Sequence, residues 1–244
     1  MKLSKANSKL EKLYKKSVFQ PWLSGGRKIY SLNMASGHSC PLASECRSSV
    51  DRRTGKVVDG PDTQFRCFMA SIEAVFPAVG KLYWANYQEA KRFKSYLSLA
   101  DRILESFPKN LGMMRYHTGG DFFSKTYFEA MLEVAARRPD VLFYFYTKMT
   151  PFLVSYSTEL AARPNIVWTA SAGGKRDDLI AQHQLRQAVV CYSEQQADDM
   201  GLDIDYDDSH AANPHTRHQS FALLLHGQQP AGSQAAHALQ ILSK

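Results

Sequence analysis

Beyond Pro108 the chain runs as a train of short apolar stretches separated by segments with helical spacing. The apolar stretches are 113–117, 141–146, 166–170, 188–192 and 221–225; between them lie 127–137, 151–162, 177–186 and 194–200. Each of these intervening segments is long enough for a crossover helix, and near-continuous apolar runs suit strands buried on both faces. The pattern predicts repeated β/α units, a parallel sheet covered by helices.

Upstream the pattern changes. Leu3, Leu10, Leu13 and Tyr14 predict a short amphipathic helix with a lysine-rich outer face, an N-terminal helical cap over 1–23, ended by Ser24-Gly25-Gly26. Residues 28–33 alternate like a strand, and 68–107 carry apolar residues at three- and four-residue steps, interrupted at Pro77 and Gly80, which predicts two or three helices. With the strand at 28–33 the total is about six β/α units, fewer than the eight of a closed barrel. The expected fold is α/β, a partial, about six-unit β/α barrel, with a flavodoxin-like or doubly wound open sheet as the alternative. A single domain over 1–244 is expected, with an irregular loop at 205–219 and a C-terminal helix at Gln234–Leu242 capped by Ser233.

The strand at 28–33 leads into the stretch with the strongest chemical signal. Cys40, Cys46 and Cys67 stand with five and then twenty residues between them. The segment 47–66 holds turn signals at Thr54-Gly55 and Asp59-Gly60-Pro61, so it reads as a hairpin insertion that folds back and returns Cys67 to the other two. Neither Cys40, after Gly37-His38-Ser39, nor Cys67, between Arg66 and Phe68, has the apolar neighbourhood of a core thiol, whereas Cys191 sits in an apolar strand. Converging thiolates bind iron–sulfur clusters or zinc. Three suffice for a cluster with one open iron; zinc wants a fourth ligand, for which His38 is the nearest candidate, though a hydrogen-bonding role suits it better.

Composition narrows the setting. No apolar segment approaches the roughly 20 residues needed to span a bilayer and the N-terminus lacks the apolar core of a signal peptide, so a cytoplasmic protein with reduced thiols and no membrane partner is expected. The net charge is +7. Much of the excess lies in the N-terminal lysines and in Arg27, Lys28, Arg47, Arg52, Arg53, Lys56 and Arg66 around the cysteines. Such a basic surface either contacts nucleic acid or offsets the negative charge of thiolate ligands.

Other candidates fall at predicted strand ends, the face where barrels and open sheets bind ligands. Gly119-Gly120-Asp121 follows the strand at 113–117; the glycines permit close backbone approach to a ligand, and Asp121 either holds an amine or caps the next helix. Lys148 and Ser171 end later strands and converge on the same rim as the cysteines. The acidic run Asp203 to His210 lacks the glycine turn and distal glutamate of an EF-hand loop, and no phosphate loop, His-Glu-x-x-His or Gly-x-Ser-x-Gly motif is present.

The run SKANSKL, the segment GHSCPLASECRSSVDRRTGKVVDGPDTQFRCFMAS, GGDFFS, YTK, and IDYDDSHA with FALLLHGQQPAGS resemble the bacteriophage family named after gene product eighty-eight of an actinobacterial phage. The resemblance covers nearly the whole chain and implies a phage protein acting in the host cytoplasm, without implying a reaction. More loosely, the chain resembles the radical S-adenosylmethionine enzymes. That resemblance implies a partial six-unit barrel, a [4Fe–4S] cluster held after the first strand by Cys40, Cys46 and Cys67, and S-adenosylmethionine bound at Gly119-Gly120-Asp121. The superfamily usually spaces its cysteines by three and two residues and carries glutamate where Asp121 stands. The leading expectation is an iron–sulfur protein whose open iron faces a small ligand near Asp121 and Lys148, with radical or electron-transfer chemistry on a small molecule, nucleotide or peptide. The rival is a zinc-stabilised nucleic-acid-binding module.

Overall fold

The computed structural model describes residues 1–242. Among these residues nine strands form: β1 (Ser4–Lys5), β2 (Lys28–Leu32), β3 (Ser48–Val50), β4 (Val57–Asp59), β5 (Leu111–Tyr116), β6 (Leu142–Thr147), β7 (Ile166–Ser171), β8 (Gln187–Cys191) and β9 (Phe221–Leu224). Seven of them build one sheet in the order β1-β2-β5-β6-β7-β8-β9, in which only β1 runs antiparallel to its neighbour. The six parallel strands add in chain order, without the reversal that marks the switch point of a doubly wound sheet. The remaining pair, β3 and β4, is the antiparallel hairpin expected between the cysteines.

The helices follow in chain order. Residues 1–23 form α1 (Ser8–Glu11), two 3₁₀ turns and α2 (Gln20–Leu23), rather than one amphipathic helix. Asn7 accepts from Leu10 N at 3.0 Å to start α1, and Pro21 sits in the first turn of α2, where its missing N–H costs nothing. Next come α3 (Phe68–Val75), α4 (Pro77–Arg92) and α5 (Tyr96–Glu105). Pro77 divides α3 from α4 as the spacing predicts. Gly80 interrupts nothing: it lies inside α4, where a side chain would crowd the Glu73 carbonyl at 3.1 Å. Along the sheet run α6 (Lys125–Arg137), α7 (Thr150–Ser155), α8 (Ser157–Ala161), α9 (Asp178–Gln182), α10 (Glu194–Asp199) and α11 (Ser209–Ala212), and α12 (Gln234–Leu242) ends the described chain. The loop expected at 205–219 holds only α11 and one 3₁₀ turn. Ser233 accepts from Ala236 N at 3.1 Å, the expected cap of α12.

Strand alternation distributes the core over the two faces of the sheet. On one face Leu32, Met114, Tyr116, Phe143, Phe145 and Ile166 pack against Leu99, Ile103, Tyr127, Phe128 and Met131 of α5 and α6. On the other, Ile29, Met113, Leu142, Tyr144, Val167, Ala188 and Phe221 pack against Leu10, Leu13, Phe19 and Leu23 of the N-terminal segment and Ala211 and Ala212 of α11. The N-terminal segment therefore covers the second face. Among the described residues no helix is long and apolar enough to cross a membrane.

Candidate functional site at the strand ends

Continuing the second face past the ends of the strands leads out of the core and into a cavity of about 360 Å³. Two and four positions after Met113, Tyr144 and Phe221 stand Arg115 and His117, Tyr146 and Lys148, and Leu223 and Leu225; two after Ala188 stands Val190 and four after Val167 stands Ser171, and all of these line it. Cys40, Cys46 and Cys67 close another part of its wall, with Gly119, Gly120 and Asp121. Cys40, Cys46, Cys67, Gly119, Gly120, Asp121, Lys148 and Ser171 thus all border one cavity.

The fold-back that returns Cys67 is held by main-chain amides. Gln64 N and Phe65 N donate to Glu45 O at 2.8 and 3.1 Å, Gly60 N donates to Arg47 O at 2.7 Å, and Cys67 N donates to Ser48 Oγ at 3.1 Å. Arg66 grips Asp59 with its guanidinium, which holds the Asp59 carboxyl below the usual carboxylate range. The first cysteine loop is tied to the sheet: Glu45 N donates to Gly173 O at 3.0 Å and Lys175 N to Leu42 O at 2.9 Å.

The three thiols are free and half-buried, and they feel one another. Burial pushes all three upward; the charge of Asp121 and of the other two thiols adds to this at Cys40, and Cys67 is pushed up to about 12. At Cys46 the Lys148 ammonium opposes the rise. A buried, mutually repelling thiol set is unfavourable as bare thiolates and gains most from a cation placed among them. Among the described residues no group of three or more His, Cys, Asp or Glu side chains is arranged to hold a single metal ion.

The rest of the rim is knitted together. Asp121 Oδ1 accepts from Phe122 N at 2.7 Å and Thr147 Oγ1 at 2.6 Å, and Oδ2 from Lys148 N at 2.8 Å. It therefore joins the end of β5 to the end of β6 and does not cap α6, whose first turn is capped by Ser124. Burial raises its carboxyl despite these bonds. Lys148 Nζ donates to Ser171 Oγ at 3.2 Å and to the Ser171 and Ala172 carbonyls, so Lys148 and Ser171 spend their polarity on each other. The paired glycines serve the packing: at φ +88° a Cβ on Gly120 would meet Met34 Cβ at 2.6 Å.

Beside this rim lies a group that the sequence did not single out. Asp208, wholly buried, accepts from Arg115 Nη1 and the Tyr144 hydroxyl (3.1 Å) on Oδ2, and its Oδ1 forms an ion pair with Lys9 Nζ at 3.1 Å. Arg115 also donates Nε to His117 O at 3.0 Å and lies over the Tyr146 ring, 5.2 Å from its centroid. An arginine within the apolar strand 111–116 was the available signal, because a buried guanidinium requires a carboxylate partner. His226 packs at a tilt against Phe68, ring centroids 4.6 Å apart, and hydrogen-bonds Leu224 O through Nδ1.

The other chemistry-bearing side chains are held in structural contacts. His38 hydrogen-bonds Val50 O at 3.1 Å and packs edge-on against Trp84, steadying the hairpin outside the cavity. Cys191 is core, among Ala197 and Ala222. Asp205 and Asp207 accept from backbone amides around α11, and Asp207 also pairs with Lys16 at 3.3 Å, so the acidic run is consumed by turns and ion pairs. His117 hydrogen-bonds the Tyr127 hydroxyl at 2.8 Å and is pushed down to about 3 by burial and by Arg115, leaving a neutral imidazole.

Among known proteins, one family model matches: that described as Gene product 88, over residues 1–241. No curated protein and no solved structure matches. The likeness to radical S-adenosylmethionine enzymes accordingly rests on the cysteine and glycine positions alone.

Proposed function

The chain belongs to the gene product 88 family, and we propose that Cys40, Cys46 and Cys67 hold a [4Fe–4S] cluster at the rim of a partial β/α barrel. The observation that carries this reading is the meeting of three thiols, far apart in the chain, on the wall of one cavity at the C-terminal ends of parallel strands. The donor set fits. The thiols are soft, free and close enough to perturb one another, and a cluster takes its cysteines on different irons rather than gathering them on one ion. Six parallel strands added in chain order support the barrel reading over the doubly wound one.

Such a cluster would supply one-electron chemistry and an iron with an open position. The chain's own part is to keep the thiols together, shield them from water and hold a small organic ligand in the cavity. For S-adenosylmethionine, Gly119, Gly120 and Asp121 are the residues that would meet its amino group, through the one lone pair that Oδ2 of Asp121 retains.

Anaerobic purification tests the cluster directly. A brown protein with broad absorption near about 400 nm and matching iron and sulfide is expected. Cys40→Ser, Cys46→Ser and Cys67→Ser should each lose the metal, whereas Cys191→Ser should keep it. A colourless protein with stoichiometric zinc would overturn the proposal. Calorimetry with S-adenosylmethionine tests the cofactor separately: binding should weaken in Asp121→Ala, and an absence of heat removes the cofactor without touching the cluster.

A further inference from the structure

The Arg115–Asp208–Lys9 group points to a second feature of the same cavity. We propose that it is an oxyanion site, and that the molecule taken up is a small organic acid or phosphate ester whose charged end sits against Arg115 and Lys9.

Charge counting comes first. Two cations converge on one carboxylate, leaving a surplus of one positive charge on the wall. The other carboxylates near α11 lie off the cavity wall: Asp205, whose charge is felt at Arg115, accepts from the amides of Asp207 and Ala211, and Asp207 accepts from Ser209 N and pairs with Lys16. Donor counting leads to the same place. Arg115 is 9% exposed, its Nε and Nη1 are satisfied, and its Nη2 donates to no acceptor among the described residues. Lys9, a third exposed, places its ammonium on Asp208 and keeps further N–H groups for a ligand. A guanidinium on the cavity wall with a nitrogen free to donate, beside a half-satisfied ammonium, is what a carboxylate or phosphate completes.

The surroundings define the rest of the ligand. Val190, Leu223 and Leu225 supply apolar wall to the same cavity, so the body attached to the oxyanion is apolar enough to lie against them. This inference rests on the reading of the cavity as a ligand site and names the class of ligand it takes.

Calorimetry on the full chain with inorganic phosphate, and separately with benzoate, tests it. Saturable binding of at least one probe is expected, and the one that binds assigns the headgroup. Lys9→Gln should weaken that binding about tenfold, as loss of one charge-assisted contact does. Lys9→Arg should restore it, and Lys16→Gln, which alters an equal charge outside the cavity, should leave it unchanged. No saturable binding, an equal loss in Lys16→Gln, or no rescue by arginine would overturn the proposal. An iron-loaded protein that binds neither probe sinks this inference alone, whereas a protein that binds a probe but takes up no iron sinks the cluster reading alone.

Discussion

At Cys67 desolvation and the neighbouring Cys46 act in the same direction, and the thiol is pushed up to about 12. The metal-free protein should therefore carry a poorly reactive cysteine there. At pH 8 its alkylation by iodoacetamide, followed by mass spectrometry, should be roughly three orders of magnitude slower than that of an ordinary thiol, because the thiolate fraction falls tenfold per pH unit below the pKa. Alkylation at the rate of an exposed thiol would count against the buried, coupled arrangement. The linked stability has a definite sign. A folded-state value above the unfolded one favours the neutral thiol, so this contribution is complete below about pH 8.5 and is lost as pH rises towards 12. Denaturant midpoints of the metal-free protein should fall across that window, and less steeply in Cys67→Ser.

The hairpin β3–β4 and the loops at its base are the elements that convert sequence separation into proximity. Gly37 turns the chain at φ +70° directly against the backbone of Ser48, so a methyl group there meets both strain and a clash. Gly37→Ala should cost about 1–3 kcal/mol in chemical denaturation and should lower metal retention, since the loop carrying Cys40 and the strand following Cys46 meet at that point. A fully stable, fully loaded Gly37→Ala would mean that the loop is free to rearrange. Most elements were legible in the sequence: the strands predicted at 141–146 and 166–170 form as Leu142–Thr147 and Ile166–Ser171, because doubly buried strands need near-continuous apolar runs. The cysteine rim was legible too, from spacing and turn residues. What escaped was tertiary in origin. Strand β1 is two residues long and exists through its pairing with β2, and the Arg115–Asp208–Lys9 group joins three segments that no local pattern connects.

Across the whole molecule, the two sheet faces do different work. One is sealed by α5 and α6, while the other is covered by the N-terminal segment below and opens into the cavity above. Leu13, with no exposed surface, belongs to that cover. Leu13→Ala should cost about 2–5 kcal/mol by urea unfolding. The same variant should weaken oxyanion binding, because Lys9 rides on the same segment; unchanged binding would show that Lys9 is placed independently of its support. The docking of residues 1–23 also bears on how the protein is made. Lys9, Leu10 and Leu13 leave the ribosome long before their partners Asp208, Ala211 and Phe221, so this segment must wait for a distant part of the chain. The cavity is then among the last features to form, and a nascent chain halted before Asp208 would carry all three rim cysteines while still lacking a partner for Arg115.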